Sequence, residues 1–279
     1  MRIRSMQQND IDFALKLTSK EGWTDIPSDF KMLISYSPPA AFVLEDEGKR
    51  VGMVSSVAYE KMGFIGSLIV LEEYRRRGFG GTLLKHAIEY LDILGVHQIM
   101  LDAVVEAVPM YKSLGFHPVC NSLRMRGTPR HVENSNTRVI QNGDLKEVLN
   151  LDRKAFGANR SHFLAYRLSE CIDLCYVQVE KDEIQGFIMA SDRPNGIRVA
   201  PWIVSNPNEH SESLLGAIAA SRKDSPLMLG VLESNRPAVK MLQQLGFEQT
   251  SHSVRMVRFQ SATPKFSDMQ YAIGSPAKG

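Results

Sequence analysis

The stretch Gly66–Leu84 reads GSLIVLEEYRRRGFGGTLL. It opens as a strand, with Leu68, Ile69 and Val70 in an apolar run, and closes as the first turn of a helix at Thr82, Leu83 and Leu84. Between these stand Arg75, Arg76 and Arg77, then Gly78, Phe79, Gly80 and Gly81. A helix N-terminus leaves about four main-chain N–H groups unpaired and carries roughly half a positive charge. Glycines lack the Cβ that would hold an anion away from those groups, and the arginines raise the local positive potential. A pyrophosphate is the natural guest. The plainer alternative is a glycine turn beside a solvated basic surface.

Two other phosphate loops fit less well. A Walker loop ends in Gly-Lys-Ser/Thr, and this one ends in Gly-Gly-Thr. A dinucleotide fingerprint needs a third glycine where Leu83 stands, and seven residues separate Val70 from Gly78. Asp102 lies about where a ribose-binding acid would, but the preceding strands read as antiparallel neighbours.

The chain also repeats itself. AVPMYKSLGF, from Ala107 to Phe116, returns as AVKMLQQLGF, from Ala238 to Phe247, with Leu242 in place of Tyr111. RSMQQNDI from Arg4 aligns with RVIQNGDL from Arg138 at an offset of 134, which also carries Gly52 to Gly186 and Ile69–Val70 to Ile203–Val204. From Leu83–Leu84 onward the offset is 131, and SLRM from Ser122 then meets SVRM from Ser253. Three residues are therefore missing from the second copy between Val204 and Leu214. Each copy predicts strand, two helices, three antiparallel strands, helix, strand, helix, strand. In the first copy Asn9 or Asp10 can cap a helix with Ile11, Ala14, Leu15 and Thr18 on one face, and Pro27 starts another. A long helix runs from about Gly78 to Leu94, and a short one covers Ala107–Leu114 before Gly115. The tail segment MQYAI reads as one further strand.

RRRGFG, from Arg75 to Gly80, together with YKSLGF from Tyr111, resembles the R/Q-x-x-G-x-G/A loop and the later Y-x-x-x-G-F segment of the GNAT superfamily of acyl-CoA-dependent N-acyltransferases. The layout is similar to tandem GNAT proteins with a complete first copy and a divergent second. The resemblance implies an α+β fold: two tandem domains, each a mixed, mostly antiparallel sheet flanked by helices, with two central strands splayed apart. Residues 1–130 would form the acetyl-CoA-binding, catalytic domain and 136–279 a degenerate one that binds no coenzyme A. The backbone of Leu68, Ile69 and Val70 would pair with pantetheine and the acetyl carbonyl. Backbone groups from Arg75, Arg76, Arg77, Gly78, Phe79, Gly80, Gly81 and Thr82 would hold the pyrophosphate. Tyr111 would lie beside the thioester sulfur and protonate the leaving thiolate, a role worth roughly 10²–10⁴-fold. The alternative for Tyr111 is packing on the core face of its helix.

In the second copy the matching loop, SNPNEHSES, contains no glycine. Pro207 removes an N–H, and Glu209 and Glu212 would repel phosphate. Ala238, Met241, Leu245 and Phe247 read as retained core. Asn235 matches an asparagine common in GNAT proteins, where the first copy has Val104; a helix cap explains it equally well. The second copy could roof an acceptor pocket, supply a dimer surface or be structural.

The implied reaction is acetyl transfer from acetyl-CoA to a primary amine of a small molecule or peptide, by direct attack in a ternary complex. The alternative is a non-catalytic coenzyme-A-binding or protein-interaction module on an inherited framework. No base is identified: Glu60, Glu72, Glu73, Asp102 and Glu106 each read first as surface or turn acids. Trp23, in a loop bordering the acceptor site of GNAT folds, reads first as packed core; His86 and His97 read as ordinary.

The bulk numbers agree with such an enzyme. The 279 residues suffice for two domains, and 43% hydrophobic with 23% charged residues is ordinary for a globular protein. A net charge of +2, from 33 basic and 31 acidic side chains, argues against a protein built to hold nucleic acid. No run approaches the ~18 apolar residues of a membrane helix. Three cysteines are too few for a disulfide framework, and Cys171 and Cys175 lack the partners of a metal site. A cytoplasmic protein without metal is the expectation.

Overall fold

The fold is given by a computed structural model that describes residues 1–129, 132, 135–206, 211–259 and 266–279. In chain order the first copy contains β1 (Arg2–Ser5), α1 (Ile11–Lys20), α2 (Pro27–Ile34), β2 (Ala41–Asp46), β3 (Lys49–Tyr59), β4 (Met62–Val70), α3 (Phe79–Ile93), β5 (Gln98–Ala103), α4 (Val108–Ser113) and β6 (His117–Gly127). The second contains β7 (Thr137–Val139), α5 (Leu145–Phe156), α6 (Ser161–Cys171), β8 (Cys175–Glu180), β9 (Glu183–Arg193), β10 (Gly196–Val204), α7 (Ser211–Ser221), β11 (Leu227–Leu232), α8 (Arg236–Gln244) and β12 (Glu248–Phe259). A last strand, β13 (Gln270–Ala272), falls inside the predicted MQYAI segment. Both copies follow the predicted order, and the class is α+β.

The repeat is visible in atoms as well as letters. A glycine is required where a strand must pass close under a helix and its neighbour. A Cβ built on Gly52 would meet the Ile69 carbonyl oxygen at 2.9 Å, Leu83 Cδ1 at 3.1 Å and Val70 Cγ2 at 3.3 Å. On Gly186 it would meet the Ile203 carbonyl oxygen at 2.8 Å, Leu214 Cδ1 at 3.1 Å and Val204 Cγ1 at 3.2 Å. These are the same three contacts at the offsets 134 and 131. We expect Gly52→Ala and Gly186→Ala each to lose about 1–3 kcal/mol, the usual cost of forcing a methyl into a packed interior. Chemical denaturation of both variants would check this, and unchanged midpoints would refute the close approach.

A second shared device closes the first turn of each copy. Arg4 donates to Asp10 through both terminal nitrogens, at 2.6 and 2.9 Å, and Asp10 also accepts the Gln7 main-chain N–H at 2.8 Å. Arg138, Asp144 and Gln141 repeat the arrangement at 2.6, 2.8 and 2.7 Å. Burial pushes the Asp10 carboxyl up, but the bonds from Arg4 and Gln7 outweigh it and hold the group below the usual carboxylate range. Asp10 therefore closes the turn before α1 rather than capping α1 itself. The buried face of α1 is Ile11, Ala14, Leu17 and Thr18, with Leu15 only half-buried.

Two compact units form. Unit 1 comprises Met1–Pro118, Met256–Thr263 and Pro276–Gly279; unit 2 comprises Val119–Arg255 and Pro264–Ser275. In unit 1 the strand order is β1-β2-β3-β4-β5, and beyond β5 lies the end of β12. In unit 2, β6 pairs antiparallel with β11, from Ser122↔Leu232 to Gly127↔Leu227. Part of the final strand of each sequence copy thus serves in the other copy's unit: Val119–Gly127 of β6 in unit 2, and β12 from Met256 in unit 1. Unit 2 buries a cluster that includes Leu123 and Met125 of β6, Trp202, Leu214, Leu229, Ala238 and Phe247. Met241 and Leu245 pack against it half-buried, so the retained-core reading of the second motif holds. Among the described residues no helix is long and apolar enough to cross a membrane.

Candidate active site

The site begins with a strand that loses its neighbour. β4 pairs parallel with β5 from Met62↔Gln98 to Phe64↔Met100. Among the described residues no β5 pairing continues beyond Phe64, so from Ile65 onward β4 turns an edge that β5 leaves unpaired toward the diverging strand. On its other side β4 pairs with β3, with a register shift between Gly66 and Ile69. Ser67, inside that shift, has a φ of 46°, the left-handed region that β-bulges use. Leu68, Ile69 and Val70 lie directly after the bulge. The Val70 carbonyl is already engaged, accepting from Arg75 Nε at 3.0 Å.

The loop after β4 builds the array expected of its glycines. Gly78 stands before the first residue of α3 with a φ of 85°, which a residue with a side chain adopts only under strain. The two ends of the stretch are spent internally: the Arg75 N–H donates to the Glu72 carbonyl at 3.1 Å, and the Thr82 N–H donates to the Gly78 carbonyl at 3.0 Å. Among the described residues the main-chain N–H groups of Arg76, Arg77, Gly78, Phe79, Gly80 and Gly81 find no protein acceptor. A Cβ placed on Gly78, Gly80 or Gly81 would meet nothing within 4 Å. These N–H groups gather at the positive end of a 15-residue helix, so they can receive a diphosphate.

The three arginines divide their work. The Arg75 side chain folds back onto the end of β4 and pairs with Glu21, so it braces the loop. The Arg77 guanidinium lies over the Tyr74 ring, 5.1 Å from its centroid. Arg76 and Arg77 are exposed and keep the loop's outer face cationic.

Tyr111 lies on α4, the helix that follows β5. Its ring is buried, 8% exposed, and meets Phe116 edge to face at 5.9 Å. Among the described residues its hydroxyl has no hydrogen-bond partner. Burial pushes the hydroxyl up to about 12, so it holds its proton at neutral pH and can act as a donor. Of the acids considered as bases, Glu60, Glu72, Glu73 and Glu106 are exposed. Asp102 is half-buried on β5, past the last residue paired with β4. Trp23 does not pack into a core: it is 38% exposed, in the short loop between α1 and α2. His86 packs against Phe42 at 4.7 Å, and burial lowers its pKa. Cys175 is buried and its thiol is pushed up to about 12, the inert state expected of a core cysteine. No cluster of three or more metal-ligating side chains occurs among the described residues.

The second copy has closed the corresponding edge. Trp202, Ile203 and Val204 correspond to Leu68, Ile69 and Val70. Here β13 adds to β10, pairing Trp202 with Ala272 and Ile203 with Gln270, and the Val204 N–H donates to the Met269 carbonyl at 2.9 Å. Ile273 bonds to Gly230 of β11 at 2.9 Å, so the segment spans both arms of the divergence. Asn235 fixes it. Its amide nitrogen donates to the Asp268 and Gln270 carbonyls at 2.9 and 3.0 Å, while its oxygen caps α8 at Ala238 N, 3.1 Å. Leu242, in the place of Tyr111, is fully buried. Glu212 lies in the first turn of α7, whereas Pro207 and Glu209 lie outside the described residues. The strand at 270–272 was legible in sequence; its partner was not, and neither was the use of Asn235 to anchor it.

Known proteins resemble the chain along its whole length. A model of the acetyltransferase (GNAT) family matches residues 9–116, and one of an acetyltransferase (GNAT) domain matches residues 148–272. The uncharacterized N-acetyltransferase YitH of Bacillus subtilis is 21% identical, over 98% of this chain and 97% of that protein. An N-alpha-acetyltransferase of Sulfurisphaera tokodaii is 29% identical over 42% of this chain and 81% of its own. Among solved structures, one from Pyrococcus horikoshii, assigned as an acetyltransferase, superposes with a TM-score of 0.83 at 21% identity, covering 100% of this chain and 95% of that one. A tandem GNAT protein from the clavulanic acid biosynthesis pathway gives 0.63 at 14% identity, over 94% and 99%. At these identities the two structures establish the fold.

Proposed function

Because this chain belongs to the GNAT acetyltransferases in both halves, we propose that its first copy, within residues 1–130, moves an acetyl group from acetyl-CoA to a primary amine, and that the second copy, within 136–279, binds no coenzyme A. The observation that carries this reading is the contrast between the copies. In the first, β4 keeps a free edge and the loop keeps unpaired N–H groups; in the second, β13 occupies the matching edge.

In this reading the N–H groups from Arg76 to Gly81 hold the diphosphate, and Leu68–Val70 pair with the pantetheine amides. The bulge at Ser67 turns a main-chain N–H toward the thioester oxygen, where it stabilises the developing oxyanion. A neutral amine attacks the thioester carbon directly. The carbon–sulfur bond then breaks, Tyr111 gives its proton to the departing sulfur, and the amine's surplus proton leaves to water. The phenolate recovers a proton from solvent.

Isothermal calorimetry with acetyl-CoA tests the assignment of copies. We expect one acetyl-CoA bound per chain. A stoichiometry of two would restore the second copy as a binding site, and no binding would remove the reading altogether. An amine panel followed by free-thiol release then tests transfer; binding without release on any acceptor would make the chain a coenzyme-A-binding module.

A further inference from the structure

Pro276–Gly279 lies beyond both family matches, which end at residues 116 and 272. Ordering four residues costs backbone entropy, and a lysine is rarely fully buried. Yet this segment is part of unit 1, with Lys278 only 3% exposed and Gly279 buried. The Tyr59 hydroxyl donates to the Lys278 carbonyl at 2.9 Å, and the Tyr36 hydroxyl stands 3.5 Å from that of Tyr59. A Cβ built on Gly66 would lie 2.3 Å from both Cα and Cβ of Ala277. Only a glycine lets the segment lie this close on β4.

The face it lies on is informative. Helix α3 covers the opposite face: a Cβ on Gly63 would meet Leu91 Cδ1 at 2.9 Å, and Ser56 Oγ donates to the Ala87 carbonyl at 3.2 Å. The two-residue period of a strand puts Phe64 and Gly66 of β4, and Val57 and Tyr59 of β3, on the face away from α3. A thioester whose diphosphate sits at the start of α3 enters from the α3 side. Its acceptor must then approach from the other side, beside the bulge at Ser67. Pro276–Gly279 lies there, against the residue preceding that bulge.

We propose that Pro276–Gly279 occupies the acceptor groove of unit 1 as a peptide held in cis, so that the groove takes peptide main chain and an acceptor peptide must displace the segment. The name of the groove rests on the acetyl-transfer reading above; its occupancy does not. A tethered segment acts at an effective concentration on the order of millimolar, so it competes with any free peptide of ordinary affinity.

The test uses a fluorescein-labelled synthetic peptide, Ser-Pro-Ala-Lys-Gly, read by fluorescence anisotropy. We expect it to bind a chain ending at Ser275 at least tenfold more tightly than the 279-residue chain, and to weaken at least threefold when Tyr59→Phe is added to the shortened chain. Equal affinity for both chains, or no binding to a folded shortened chain, overturns the proposal. Should the shortened chain fail to fold, Gly66→Ala in the 279-residue chain decides. Its methyl expels Ala277, so carboxypeptidase should release Gly279 and Lys278 at least tenfold faster than from the unaltered chain, read by intact mass. Equal release rates overturn the proposal. Acetyl-CoA calorimetry on the same samples keeps the two readings apart, since lost nucleotide binding counts against acetyl transfer and leaves the peptide result standing.

Discussion

Tyr111→Phe should lower turnover by roughly 10²–10⁴-fold while acetyl-CoA binds within about twofold of its original affinity. The substitution removes one oxygen from a ring that is otherwise buried and packed on Phe116, so no cavity forms in the packed part of the site. Under the proposed mechanism, what disappears is the proton given to the leaving thiolate, a group that matters only as the carbon–sulfur bond breaks. Parallel steady-state kinetics and calorimetry would check the split. An unchanged turnover would make Tyr111 a packing residue, and a matched loss of affinity would make it a binding one. The buried hydroxyl also predicts a stability signature. Its pKa rises from an ordinary value near ~10 to about 12, so it contributes stability that is complete below pH ~10 and is lost as pH rises through about 12. The phenylalanine variant should lack that alkaline loss, and urea midpoints measured across this window would reveal it.

How far the sequence discloses this molecule depends on what each residue is asked to do. Gly52 and Gly186 were legible as a pair because each must clear the same carbonyl, leucine and valine, and only glycine can. Arg4 with Asp10, and Arg138 with Asp144, were aligned by letters and prove to be the same bidentate bond. The partial exchange of final strands was invisible for the same reason that the repeat was visible. Ser122-Leu123-Arg124-Met125 and Ser253-Val254-Arg255-Met256 offer nearly the same side chains to either slot, so pattern alone cannot say which strand fills which. The structure places Leu123 and Met125 in the core of unit 2 and buries Met256 in unit 1. A strand at 270–272 could be read from MQYAI, but pairing between segments some 70 residues apart leaves no local trace. Trp23 shows the opposite failure. A large aromatic ring reads as core by default, yet its position in a short loop between two helices holds it at the surface.

The anion receptor gives the other large effect, and a single substitution can separate its chemistry from its fold. Gly81→Asp should abolish most acetyl-CoA affinity, raising the dissociation constant at least 30-fold, while leaving the melting temperature unchanged or slightly higher. Gly81 is the third residue of α3, and a Cβ there meets nothing within 4 Å. A carboxylate so placed satisfies first-turn N–H groups and complements the helix dipole, typically by 0.3–1 kcal/mol. The same carboxylate takes the donors a diphosphate would use and sets a negative charge against it. At about 4 Å and an effective dielectric near 20, that repulsion reaches about 4 kcal/mol per charge pair, enough for a loss of two or more orders of magnitude. Gly81→Ala supplies the control. It should gain about 0.5–1 kcal/mol from helix propensity and hold affinity within a few-fold, because the methyl carries no charge. Gly78→Ala differs again, since a φ of 85° costs an L-residue about 1–2 kcal/mol and disturbs the turn that aims the N–H groups. Calorimetry and thermal melts on the three variants would therefore distinguish loss of the receptor from loss of the fold. If Gly81→Asp bound acetyl-CoA as tightly as the unaltered chain, the start of α3 would not be where the diphosphate rests.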